Sequence, residues 1–193
     1  RNAIALTTLA MALAACAAAQ VRDGGTTVET PAQAAAPDNP FFEEWSSPFE
    51  MPPFERIKPE HFMPAFDRAI AEQRQEVETI AASTEPPTFA NTVEALAERG
   101  LLLDKVLGVF LTLASANTNE AIQGVQAEAM PKLAALRDDV ALDSRLFARV
   151  KAVWGQRDTL ELDQEQRKLL EETYKGFVRG GAAVHQVPPR DAH

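Results

Sequence analysis

The chain offers few side chains able to hold a metal or attack a substrate. It has three histidines, His61, His185 and His193, and one cysteine, Cys16. A catalytic zinc keeps three protein ligands, and the usual helical arrangement sets two histidines four residues apart with a glutamate beside the first. Here His61 is followed by Phe62, His185 by Gln186, and His193 is the last residue, so that pair does not occur. A single cysteine excludes an internal disulfide framework and a cysteine-rich zinc module. Glu43-Glu44, Asp138-Asp139 and Glu171-Glu172 are adjacent acids, and neighbours on a helix do not face each other. They read as solvated charge rather than acid–base couples. Ser46-Ser47 and Ser115 have no neighbouring base to activate them, and Gly24-Gly25 lacks the spacing of a phosphate loop. With 19 Lys and Arg against 28 Asp and Glu, the 193 residues carry a formal charge of −9. A nucleic-acid partner would ask for a basic face instead. Residue chemistry alone thus assigns no catalytic residue and no metal ligand.

Cys16 closes a segment of another kind. Residues 3–15, AIALTTLAMALAA, are 13 uncharged residues behind Arg1. A bilayer-spanning helix needs about 20, whereas a basic start, a short apolar run and small residues describe a secretory signal. Leu13-Ala14-Ala15-Cys16 resembles the lipobox of bacterial lipoproteins. The resemblance implies that residues 1–15 are a signal peptide and that Cys16 carries a lipid anchor to the membrane. Ala17 in place of Asp then implies the outer membrane of the cell envelope, facing the periplasm. An ordinary signal with an incidental cysteine is the other reading. Because the chain begins at Arg rather than Met, its start is expected to be incomplete. Residues 17–38 are rich in Ala, Thr, Gly and Pro and have no aromatic residue. They cannot bury enough apolar surface to offset ordering, so 16–38 reads as a lipidated cysteine and flexible tether, with a frayed helix over the Ala runs as the alternative.

The elements able to position anything begin at Asn39. Phe41, Phe42, Trp45, Phe49 and Phe54 lie among prolines 40, 48, 52, 53 and 59. That proline density forbids a continuous helix, and the rings predict an extended arm packed on a helical surface, a peptide-binding aromatic cleft being the sharper alternative. From Glu60 the period is helical. Phe62, Phe66, Ile70, Val77 and Ile80 recur at 4, 4, 7 and 3, one face of a helix, with Pro64 in its first turn and Pro86-Pro87 as its stop. A second helix is expected from Thr88–Thr92 through Ala114, and its apolar run from Leu101 to Leu113 predicts burial all round. Residues 115–119 read as a turn and new cap. A third helix runs from Ile122 to Val140 and accepts a kink at Pro131 in preference to splitting there. A fourth opens at Asp143 or Ser144. A fifth opens on the capping pattern Asp163-x-x-Gln166 and ends at Gly180-Gly181. No strand alternation appears between 60 and 180. The class is all-α, an antiparallel helical domain over 39–181 with a Pro- and aromatic-rich arm.

These segments together resemble the N-terminal region of the zinc metallopeptidase family of peptidyl-dipeptidase (dipeptidyl carboxypeptidase), oligopeptidase A and thimet oligopeptidase. The resemblance rests on Asn39-Pro40-Phe41-Phe42, Pro53-Phe54-x-Arg56-Ile57 and Pro87-Thr88-Phe89-x-Asn91-Thr92. It continues with Ala116-Asn117-Thr118-Asn119, Pro131-Lys132-Leu133 and Leu146-Phe147-x-Arg149-Val150. It implies the channel-forming front of an enzyme that hydrolyses short peptides, with zinc bound in a C-terminal catalytic region absent from this chain. No catalytic or metal residue of the family transfers to any position here, so this chain alone is expected to be inactive. Residues 182–193 depart from the family and read as a disordered, aberrant tail, from a truncated gene, a frameshift or a partial sequence. A natural short paralogue, acting as a lipid-anchored interaction module without catalysis, is the alternative.

One expectation is testable at this level. Expressed with its signal in a bacterial host, the chain should take up a fatty-acid probe and partition with membranes, and Cys16→Ala should abolish both. Unchanged labelling of that variant would exclude Cys16 as the anchor.

Overall fold

The computed structural model describes residues 38–46, 49, 51–116 and 119–182. The signal, lipid-anchor and tail readings, and the tether over 16–37, lie outside them. All described residues fall within the unit Ala36–His193. They form helices and connecting turns, with no strand among them, and the all-α class holds.

Helix α1, Pro59–Ala81, is the element on which the others assemble. Pro59 opens it with a ring already set at helical φ and no N–H to leave unpaired. Pro64, expected in the first turn, lies inside the helix instead; having no N–H, it leaves the carbonyl of Glu60 without its helical donor. The face predicted from spacing is the buried one: Phe62, Phe66, Ile70, Val77 and Ile80 are all in the core.

The arm ahead of α1 divides in two. Its first half is tied down by Asn39, which is itself buried. The Asn39 side chain accepts from Phe41 N and donates to His61 O at 2.8 Å, closing the 3-10 turn Pro40–Phe42 against the start of α1. Phe41 then meets Phe62 with ring centroids 5.2 Å apart. Trp45 donates from Nε1 to Pro40 O, and Lys105 stands over its ring at 4.0 Å. The second half departs from expectation: Phe49 is 99% exposed and Phe54 43%. That half is held by backbone turns from Pro52 and Pro53 and by a two-pronged Arg56–Glu43 ion pair, rather than by ring burial.

The single long second helix is also not what forms. Thr88 caps a wide π-helical turn, Phe89–Glu94, which runs into the short α2, Ala95–Ala97. The chain then reverses at Gly100, where φ is +76°, and restarts as α3, Leu101–Ala116. A side chain at Gly100 would be strained at that φ, and its Cβ would lie 2.7 Å from Gln73 Oε1. The apolar character of α3 was expected to mean burial all round, yet only Leu103, Val106, Val109 and Phe110 are fully buried, Leu102, Leu107 and Leu113 pack on the core half-covered, and Leu101 is 73% and Leu111 54% exposed. The described partners of α3 are α1 and the arm, which cover one side only.

Asn119 caps α4, Glu120–Leu142, by accepting from Ile122 N. The helix passes through Pro131 without dividing. Asp143 caps α5, Ser144–Gly155, and the Asp163–Gln166 capping box opens α6, Gln164–Gly180, which ends at Gly181 with φ +94°. Helices α1 and α3 run antiparallel: Phe110 of α3 meets Phe62 and Phe66 of α1, while Gly100 N at the other end donates to Glu76. The α4–α5 arm runs parallel to α1. Lys132 reaches Asp67, Arg74 reaches Asp139, Arg145 reaches Glu78 and Arg149 reaches Ser83, all at separations of 65–67 residues. The Arg145 guanidinium holds the Glu78 carboxyl below its usual range. The three ion pairs among these contacts fix register more than they stabilise, since surface ion pairs contribute about 0–1 kcal/mol each.

The core should report this geometry directly. Phe110 is fully buried where three rings meet, so Phe110→Ala should cost about 3–5 kcal/mol. The next residue, Leu111, faces outward, and Leu111→Ala should change stability by less than about 0.5 kcal/mol. Urea unfolding of both variants checks this, and equal losses would contradict the placement of α3.

Candidate functional site

Among the described residues, no three His, Cys, Asp or Glu side chains gather in a way that could hold a metal. His61 uses Nδ1 to accept from Lys58 N at 3.1 Å, which is a helix-capping role. The described residues therefore do not fit a zinc centre. Cys16, His185 and His193 lie outside them. At least one member of each acid pair is engaged with a cation: Glu43 with Arg56, Asp139 with Arg74, Glu171 with Lys175 and Glu172 with Lys168. Hydrogen bonds to those cations hold the carboxyls of Glu43, Glu171 and Glu172 below their usual range, keeping them ionised rather than poised to carry protons. Ser115 donates to Thr112 O on its own helix.

What the structure does bring together is two motifs more than fifty residues apart in sequence. Arg149 of α5 is buried, only 7% exposed, and no carboxylate among the described residues forms an ion pair with it. Its Nη1 donates to Ser83 O at 2.9 Å and Glu85 O at 3.0 Å, and its Nη2 donates to Asn91 Oδ1 at 3.1 Å. Asn91 Oδ1 also accepts from Thr88 N and Thr92 Oγ1, while Asn91 Nδ2 donates to Pro86 O. A guanidinium presents its donors in a rigid planar fork; here the fork joins the end of α1, the Pro86-Pro87 loop and the π-helical turn. Sequence reasoning quoted both Asn91 and Arg149 but could not pair them, because nothing in local spacing reports a contact 58 residues away.

The described surface also carries an open groove of about 990 Å³ between α3 and α6, floored by α4. Leu103, Leu107, Leu133 and Phe177 give it apolar walls. Arg99, Arg137 and Arg179 face Asp138 and Glu172 around it, three positive charges against two negative, in a chain whose formal charge is −9. Arg99 lies at the turn between α2 and α3 and donates to Leu96 O. Its Nε is buried and has no partner among the described residues. Burial pushes its guanidinium pKa down, against the pull of Asp104 and Glu76. Sequence patterning missed this groove, since it depends on the break at Gly100.

No family model matches the chain. Comparison with characterised proteins gives clear relatives. The chain is 41% identical over 146 residues to a dipeptidyl carboxypeptidase of Salmonella typhimurium, a match covering 76% of this chain and 22% of that protein. It is 38% identical over 149 residues to the Escherichia coli dipeptidyl carboxypeptidase, covering 77% and 22%. Identity to Escherichia coli oligopeptidase A is 26% over 138 residues, covering 72% and 20%. The chain thus spans about a fifth of the length of these relatives.

The Arg149 joint yields a measurable coupling. Arg149→Met should destabilise by about 2–4 kcal/mol, since it removes the side-chain donor to two backbone carbonyls and one of the three donors to Asn91 Oδ1 in a buried setting. Asn91→Ala should cost somewhat less. The double variant should fall short of additivity by about 1 kcal/mol or more. Strict additivity in urea melts would mean that the two side chains stabilise the fold independently.

Proposed function

We propose, from the homology of this chain to dipeptidyl carboxypeptidase and oligopeptidase A, that it is the N-terminal helical part of a lipid-anchored zinc metallopeptidase of the peptidyl-dipeptidase type. The observation that carries this reading is the 41% identity spread over 146 residues, which runs through most of the helical domain. On this reading the complete enzyme hydrolyses short peptides, releasing dipeptides from their C-termini, in the cell envelope. Zinc and its ligands are supplied by polypeptide beyond the matched fifth. This chain's helices wall the channel that admits only peptides able to thread into it, and Cys16 tethers the assembly to the outer membrane.

The physical support is the division of labour among the described residues. Their motifs act as joints: Asn39 pins the arm, Asn91 and Arg149 lock the loop after α1, Asn119 caps α4, and Lys132 sets register against Asp67. None of these groups is poised for proton transfer or nucleophilic attack. A wall has those properties, as does the second reading, a stand-alone interaction module.

The DNA that follows the codon for His193 separates the two. A frame encoding H-E-x-x-H belongs to the peptidase reading, and an unrelated gene after a clean stop belongs to the module. The product of the complete frame should release dipeptides, lose that activity to a chelator and regain it with zinc, while the 193-residue chain alone should release none. Dipeptide release by the purified 193-residue chain would overturn the assignment of catalysis to the rest of the enzyme.

A further inference from the structure

We infer that the groove between α3 and α6 is the seat of a helix from the peptidase polypeptide beyond the matched fifth, apolar along one face and carrying a carboxylate toward Arg99. The inference rests on the reading of this chain as one part of a peptidase, and it specifies where the other part docks. Four observations support it.

The first is size. A groove of about 990 Å³ matches on the order of two to three turns of a helix about 10 Å across. Its walls are the helices α3 and α6 with α4 beneath, so a further helix would complete the bundle. The second is the wall itself. Gly176 sits mid-way along α6 on the groove, and a Cβ built there meets nothing within 4 Å. Glycine inside a helix is destabilising, and no described residue approaches closely enough to require one. A close-packed outside helix would.

Charge is the third. Arg99, Arg137 and Arg179 line the groove with Asp138 and Glu172, and Arg99, although Asp104 and Glu76 lie near it, keeps a buried Nε without a partner among the described residues. A carboxylate on the occupant would meet that donor. The fourth is covalent placement. The chain leaves α6 at Gly181, and Gly180 lines the groove. The relatives are several times longer than the matched region, so polypeptide continuing from α6 starts at the groove's edge, where a tether keeps its effective concentration high.

The test co-expresses the full 193-residue chain with a separate polypeptide comprising the remaining four-fifths of the Escherichia coli dipeptidyl carboxypeptidase, and measures the complex by sedimentation and titration. Wild type should form a one-to-one complex. Gly176→Leu should weaken it at least tenfold while leaving the chain's own helicity unchanged and its melting temperature equal or higher, because the substitution favours α6 but fills the groove. Leu133→Asp should weaken it similarly, and Arg99→Gln should weaken it and reduce its dependence on salt. Leu111→Asp, on the outer face of α3, should bind as wild type.

If the groove variants bind as tightly as wild type, the inference fails and the peptidase reading stands. If not even wild type forms a complex, both fall. If the chain instead pairs with itself, and Gly176→Leu abolishes that pairing without affecting the mixed complex, the occupant is a second copy and the inference is overturned.

Discussion

A single buried cation organises the middle of this protein. Removing a guanidinium from water is costly unless its donors are satisfied; among the described residues no carboxylate meets Arg149, and its Nε has no partner, so its two terminal nitrogens carry the contacts. Its partners are instead the carbonyls of Ser83 and Glu85, released where α1 ends, and the amide oxygen of Asn91. A positive charge at a helix C-terminus is favoured by the aligned peptide dipoles, so the end of α1 is a suitable host. Because the fork is rigid, satisfying all three acceptors sets the path of the Pro86-Pro87 loop, the start of the π-helical turn and the tilt of α5 together. The small cluster of Phe89, Val93, Val153 and Leu170 packs beside this joint, so α6 inherits its position from it.

Much of the architecture was legible in the order of residues. The apolar face of α1, the Asp163–Gln166 box and the closing Gly181 were all read from spacing and cap chemistry, because these signals lie within one or two turns of the residues they govern. Gly100 shows the limit. A glycine in an apolar helical pattern reads as a mild weakness, and only the packing of Gln73 and Glu76 against it makes it a reversal. The exposed faces of Leu101 and Leu111 were misread for a related reason: hydrophobicity states that a surface seeks cover, but not whether the cover lies within the same stretch of chain. Phe49 and Phe54 fall under the same ambiguity.

The segments that carry the family likeness turn out to be fasteners. Four of them place a polar side chain where backbone would otherwise be left unpaired, at the start of the arm, after α1, ahead of α4 and on α5, and the other two carry Arg56 and Lys132 to carboxylates. Such residues tolerate little exchange because their geometry is fixed by more than one partner, as Asn91 Oδ1 is by three donors. A likeness built from joints speaks strongly about architecture, and about chemistry only through the relatives that share it. That is why the helices could be assigned to a peptidase lineage although they bring together no metal-binding cluster among the described residues.

The parallel register of α1 with α4 and α5 bears on the birth of the protein. Each side chain on that face of α1 waits for a partner 65–67 residues downstream. Ribosomes add about 5–20 residues per second, so α1 is made roughly 3–13 s before the helices that cover it. During that interval only the arm, the π-helical turn, α2 and α3 are at hand, and the face of α1 that α4 and α5 will cover stays open to water or to a chaperone.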